Sequence, residues 1–304
     1  MELEFLGRRF SPVGIEQRSR LAGILERHPQ PLSDYCFASL LAWSPVYRYR
    51  HAVVEPDTLL VSSAFGSQRG PSLLQPVGEF SESVQAALLE RGRELPEPLR
   101  IESVSEAFLE RHAAFARHFE VAAVRDSANY VYAAPDLAEL PGRHYAGKRN
   151  LIAQASRLYS WSVEPLDPPR VGACLEFSED IAARRTSEAE VTLEQETEAL
   201  ACALGNFGPL GLQGLLVRVD GCPCAFSIFD RLNPTTAVVL FERARRAFKG
   251  LYQVINRETA RLIAAQGFSL INREEDLGDP GLRKAKLSYH PSRLEMKYTL
   301  TLRR

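Results

Sequence analysis

Apolar residues first recur at helical spacing over Ile15–Arg27, with Ile15, Leu21, Ile24 and Leu25 on one side. Ser33 reads as the N-cap of a second helix carrying Tyr35, Phe37, Leu40, Leu41 and Trp43, closed by Pro45. Short apolar runs at Tyr49–Val54, Leu59–Ala64 and Leu73–Val77 read as strands. Helical spacing returns at Ser81–Glu90, and Leu99–Val104 reads as a strand. Ser103 and Glu106 stand at capping-box spacing, which predicts a helix through Ala107–Phe119.

The second half runs through similar patterns. Gly142–Tyr159 reads as a helix and Trp161–Leu166 as a short strand. Pro168–Arg184 and Thr192–Leu204 read as helices, the latter opened by a Thr192/Gln195 box. Leu212–Val219 and Cys224–Asp230 flank Asp220-Gly221, a two-residue hairpin signal because both residues tolerate positive φ. Thr235–Arg243 is a strand, Leu251–Gln266 a helix stopping at Gly267, and Phe268–Arg273 another strand. Asp279-Pro280 pairs an N-cap with Pro at the first helical position, opening a helix to Leu287. Arg293–Leu302 alternates Leu294, Met296, Tyr298 and Leu300 against polar residues, as a strand does.

The two halves share an approximate order of patterns without a visible sequence repeat. This order predicts two α/β domains of one type, residues 1–125 and 126–304, with the break between His118 and Asn129. At 304 residues, 45% hydrophobic and 25% charged, the chain can build an ordinary core. Its net charge of −1 argues against a protein whose whole surface binds nucleic acid. The N-terminus has no apolar signal segment, and no run nears the ~18 apolar residues that span a bilayer, so a cytoplasmic location is expected. Cys222 and Cys224 flank Pro223 at a spacing unlike a zinc site, and the six histidines form no metal pattern, so no metal is expected. No serine-hydrolase elbow, Walker loop or His-Glu-x-x-His is present.

Four strings carry a family resemblance: SDYCFASLLAW (Ser33–Trp43), PGRHYAGKRN (Pro141–Asn150), FKGLYQVINRE (Phe248–Glu258) and INREEDLGDPGLRKAKLSYHP (Ile271–Pro291). The last is the most specific. The chain resembles a bacterial family grouped with the C-terminal domain of phosphatidylglycerol lysyltransferases. The resemblance implies tandem GNAT-type acyltransferase folds, each a mixed, mostly antiparallel sheet flanked by helices. It further implies a working site in the second copy, or in the cleft between copies. The first half lacks counterparts of the acidic and basic strings of the second and reads as a structural partner. Its relatives move an aminoacyl group from aminoacyl-tRNA to a lipid head group, and other GNAT-type proteins move acyl groups from acyl-CoA to amines. Unlike full-length lysyltransferases, the sequence carries no long membrane-spanning region.

Candidate chemistry lies in the second half. Arg246, Lys249 and Gly250 occupy a basic turn before a helix, where free N–H groups and a cation suit a phosphate. GNAT-type folds bind the acyl-CoA pyrophosphate there on a Gln/Arg-x-x-Gly-x-Gly/Ala loop. Gly250 fits that pattern, but Ala247 and Tyr252 depart from it. Glu274, Glu275 and Asp276 follow a strand; alternation puts Glu274 and Asp276 on one side, where a carboxylate could bind an ammonium group or take its proton. A solvated acidic turn is the plain alternative. The resemblance makes Tyr289 the candidate general acid for a leaving thiolate; the alternative is a packing tyrosine. Arg143, Lys148 and Arg149, in a segment without acids, could contact tRNA phosphates, a lipid head group or CoA. The expected reaction is acyl or aminoacyl transfer to an amine or hydroxyl acceptor, with acyl-CoA or aminoacyl-tRNA as co-substrate and no tightly bound cofactor. The alternative is a binding module for a nucleotide, a tRNA end or a small anion.

Overall fold

A computed structural model describes residues 2–54, 56–64, 70–183 and 190–304; side chains at 181–183 and 190–193 are outside the description. The chain forms two compact units. The first comprises residues 1–129, 275–278 and 295–304, and the second residues 130–274 and 279–294. A single cut after residue 125 therefore does not divide the chain. Residues 275–278 and most of the final strand pack with the first unit.

The first unit carries strands β1 (Leu3–Phe5), β2 (Arg8–Pro12), β3 (Arg50–Val54), β4 (Thr58–Ser63), β5 (Ser72–Leu74) and β6 (Arg100–Val104). Its helices are α1 (Arg18–Arg27), α2 (Phe37–Tyr47), α3 (Glu82–Arg93), α4 (Glu106–Arg111) and α5 (Ala113–Ala116). Neighbouring strands pair antiparallel from β1 to β5. β5 and β6, joined through α3, are parallel. The last strand of the chain, Arg293–Leu302, pairs antiparallel with β6. Phe10, Leu60, Leu73, Ile101 and Leu300 are buried in the core beneath them.

Four expectations fail here. Pro45 lies inside α2, which continues to Tyr47 and ends at Arg48 in a left-handed conformation. Proline removes one helix bond near a C-terminus, and burial of Phe37–Ala42 outweighs that loss. Ser33 opens a short 3-10 turn, and Cys36 is the N-cap of α2. The cap of α4 is Ser105, whose hydroxyl accepts from Phe108 N–H; Ser103 sits at φ 51° within β6. The helix predicted to Phe119 stops at Ala116, and β7 (Phe119–Ala133) follows, crossing the boundary between the units. Its exposed Glu120–Ala123 stretch lacks the alternation that marks a half-buried strand.

The second unit continues with α6 (Ala134–Glu139), α7 (Ala146–Leu158), β8 (Trp161–Pro165), α8 (Val171–Ala183), α9 (Glu190–Gly205) and α10 (Phe207–Leu210). Then come β9 (Gln213–Val219), β10 (Cys222–Asn233), β11 (Thr236–Ala244), α11 (Leu251–Ala265), β12 (Leu270–Asn272) and α12 (Pro280–Leu287), before β13 (Arg293–Leu302) rejoins the first unit from Glu295. The predicted end at Arg184 lies outside the described residues, as does the Thr192 cap side chain. Strands β8 to β11 pair antiparallel, β11 and β12 parallel, and β12 and β7 antiparallel. Asp220 and Gly221 turn the β9–β10 hairpin at φ 50° and 80°. Asp279 caps α12, accepting from Leu282 N–H at 2.7 Å. α11 buries Leu251, Val254, Ile255 and Ile263 in the core with Val217, Phe229 and Ile271.

Candidate functional site

Among the described residues the second unit has one parallel strand pair, and it is short. β11 and β12 are in register only over Thr236–Val238 and Leu270–Asn272. β11 then continues to Ala244. The chain beyond β12 stays bonded to β7, with Arg273 N–H donating to Tyr130 O at 2.9 Å and Tyr130 N–H to Glu274 O at 3.1 Å. The two strands therefore diverge, and side chains fill the opening.

Arg273 and Glu242 face each other there, Nη2 to Oε1 at 2.7 Å, with side chains 14% and 9% exposed. Those exposures make this a buried ion pair, whose desolvation must be offset by close contacts. Asn256, on the buried face of α11, supplies one of them. With its amide oxygen toward the guanidinium it accepts from Arg273 Nη1 at 2.9 Å and Nη2 at 3.2 Å. The rings of Tyr289 and Tyr132 lie 5.5 and 6.0 Å from the guanidinium carbon. Burial opposes the charge on Arg273, but Glu242 and the two tyrosines raise its pKa overall. Glu242 Oε2 is buried and accepts no hydrogen bond, and the same holds for Ser227 Oγ. Ser227 is the cross-strand partner of Glu242 in β10, so both side chains point to one face of the sheet.

Tyr289 follows the end of α12 and is buried. Desolvation pushes its phenol up to about 12, so it holds its proton through the neutral range. Lys148 Nζ lies 3.9 Å from the centre of its ring and donates to Ser288 Oγ at 2.6 Å. Desolvation, and then the charge of Arg273, lower the pKa of Lys148. Tyr145 donates to Tyr289 O at 2.8 Å, and Tyr132 to Lys286 O at 2.8 Å. These two bonds tie α7 and β7 to the segment carrying Tyr289.

The other predicted residues are scattered. β12 ends at Asn272, so strand alternation does not order the acids after it. Glu274 belongs to the second unit, at φ 54°, its N–H donating to Asn272 Oδ1 at 2.8 Å. Glu275 and Asp276 belong to the first unit. Glu275 accepts from Asn129 at 3.1 Å and lies 3.5 Å from Lys297 Nζ. Asp276 is fully buried, paired with Arg125 at 3.2 Å and accepting from Gly278 N–H at 2.9 Å.

The basic segment also differs from its predicted form. α7 begins at Ala146, so Arg143 precedes the helix and is exposed. Arg149 turns back on its own loop, donating to Leu140 O and Gly142 O, while Lys148 points to Tyr289. In the turn before α11, Arg246 and Lys249 are exposed and Gly250 is buried. The N–H groups of Phe248, Lys249 and Leu251 are donated to Arg245 O, Tyr159 Oη and Phe248 O. Gly250 stands at φ 88°, and a Cβ there would come within 2.2 Å of Leu151 O, so close packing of α11 on α7 explains this glycine.

Sequence reasoning missed Glu242, Asn256 and Ser227, and read Arg273 as the end of a strand. The available signal was an acid–base pair, Glu242-Arg243, ending an otherwise apolar buried strand.

Among the described residues there is no metal-ligand cluster and no helix long and apolar enough to cross a membrane. No curated protein matches the sequence. A crystal structure of a conserved protein of unknown function from Bacteroides thetaiotaomicron is similar, at 30% identity and TM-score 0.89, covering 97% of this chain and 99% of that one. L-PGS from Bacillus licheniformis shares the fold at 15% identity and TM-score 0.65, covering 96% and 92%. A tandem GNAT protein from the clavulanic acid biosynthesis pathway shares it at 11% identity and TM-score 0.52, covering 97% and 98%. The sequence profile of the phosphatidylglycerol lysyltransferase C-terminal family matches residues 25–301, and the chain belongs to that family.

Proposed function

We propose that this protein is an aminoacyltransferase whose working site is the mouth of the β11–β12 divergence. The observation that carries this reading is Glu242, a buried carboxylate with one oxygen on Arg273 and the other unpartnered. An acceptor amine or hydroxyl attacks the donor's ester carbonyl and loses its proton to Glu242 Oε2. Arg273 lies beside the oxygen that becomes negative as the tetrahedral centre forms. The leaving oxygen takes a proton from Tyr289, whose phenol is held neutral. Proton acceptance is placed at Glu242 because Glu275 and Asp276 are committed to Lys297, Asn129 and Arg125. A parallel strand pair in each unit, joined in both by a helix, favours tandem GNAT-type copies.

Aminoacyl-tRNA is favoured over acyl-CoA as donor. The turn corresponding to a pyrophosphate loop already spends three N–H groups internally. Exposed Arg143, Arg246 and Lys249 would meet tRNA phosphates. The acceptor is an amine or hydroxyl, with a lipid head group among the candidates.

The test is transfer of labelled amino acid from mixed aminoacyl-tRNA to a panel of amine, hydroxyl and phospholipid acceptors, beside acetyl-CoA. Glu242→Gln, with its fold checked by circular dichroism, should lose about 100-fold or more of turnover. Transfer from acetyl-CoA alone would overturn the donor assignment. Saturable binding of aminoacyl-tRNA without transfer to any acceptor would favour a binding module.

A further inference from the structure

The arginine next to Glu242 faces the other side of β11 and is held differently from its neighbours. Arg245 donates to Asp180 at 2.6 Å, Arg218 to Glu164 at 2.6 Å and Arg273 to Glu242 at 2.7 Å. Arg243 is 5% exposed, yet neither Nη1 nor Nη2 donates a hydrogen bond. Its ion-pair partner is Glu196 of α9, Nη2 to Oε2 at 3.4 Å, an approach that makes no hydrogen bond. A buried guanidinium with both outer nitrogens unused is costly, because it has given up water without replacing the bonds.

Its surroundings are apolar, which strengthens any charged contact it makes. Phe226 is its register partner on β10, and Phe177 of α8 packs edge-on against Phe226 at 5.9 Å. Ser178, beside Phe177, is wholly buried with its hydroxyl unpartnered. A planar guanidinium edge matches two oxygens of a phosphate or carboxylate. Glu196 is 39% exposed, so Arg243 lies one loose ion pair below the surface.

We infer that Arg243 is the anchor of an oxyanion site beneath α8 and α9, taking a phosphate-type group that displaces Glu196. The proposal stands apart from the transferase reading, since it concerns binding on the opposite face of the sheet.

Binding is read by calorimetry and thermal shift with glycerol 3-phosphate and inorganic phosphate at constant ionic strength. Co-sedimentation is run with phosphatidylglycerol and phosphatidylcholine vesicles. Wild type should bind the phosphates saturably. Arg243→Lys keeps the charge but loses the fork and should bind about tenfold more weakly or worse. Glu196→Gln removes the competing charge and should bind more tightly, an effect that a purely structural ion pair would not produce. Phosphatidylglycerol vesicles sedimenting with wild type but not with Arg243→Lys would assign the group to a lipid head. Binding of soluble phosphates alone would assign it to a free ligand. The proposal is overturned by no saturable binding in wild type and Glu196→Gln, or by equal binding in Arg243→Lys.

Discussion

At the residue scale, backbone conformation and burial decide what single side chains can do. Gly250 combines φ 88° with a backbone oxygen in the space a Cβ would need. Gly250→Ala should cost about 2 kcal/mol or more, summing strain at positive φ and overpacking. Urea denaturation checks this; a cost under about half a kcal/mol would mean α11 and α7 pack more loosely than described. Tyr289 keeps its proton to about 12 in the folded chain, against an ordinary value of 10.0. A raised folded pKa means its contribution to stability is intact below pH 10 and is lost as pH rises toward about 12. Phenolate absorbance for this residue, isolated as wild type minus Tyr289→Phe, should appear only near the top of that window. Ionisation near pH 10 would show an exposed ring. The glycine was legible as punctuation between strand and helix, whereas the burial of Tyr289 depends on α7 and β7 and was not.

At the element scale, β11 outruns its parallel neighbour, which opens the space beside Glu242. The Glu242–Arg273 pair fills the gap, and removing one partner strands a buried charge. Glu242→Gln should lower stability by about 3–5 kcal/mol, while Glu242→Gln with Arg273→Met should recover part of that. Additive losses in urea titrations would show that the two side chains do not act as a pair. Local signals placed many elements correctly: the Asp220-Gly221 hairpin, the Asp279-Pro280 cap and the Gly267 stop depend on nearby backbone alone. Signals failed where burial overrode them. Pro45 stays in α2 because its helix is packed, and Ser105 outcompetes Ser103 as a cap because Ser103 lies within β6.

At the scale of the molecule, chain order and spatial order separate. The final strand completes the first unit, pairing Tyr298 with Val104, Leu300 with Ile101 and Thr301 with Arg100. Deleting residues 293–304 should therefore leave residues 1–129 protease-sensitive while the core of residues 130–292 persists. Mass spectrometry of a limited digest checks this, and unchanged protection of the N-terminal unit would refute it. The sequence by itself determined the class of fold, most helices and strands, their turns and the family, because each rests on local spacing or on contiguous motifs. Only the tertiary structure decided which charges meet. It separated Glu274 from Glu275 and Asp276, turned Arg149 onto its own loop, and brought Glu242, Arg273, Asn256 and Tyr289 together from four distant segments. Contacts of that kind follow from strand divergence and helix packing, and neither leaves a period in the sequence.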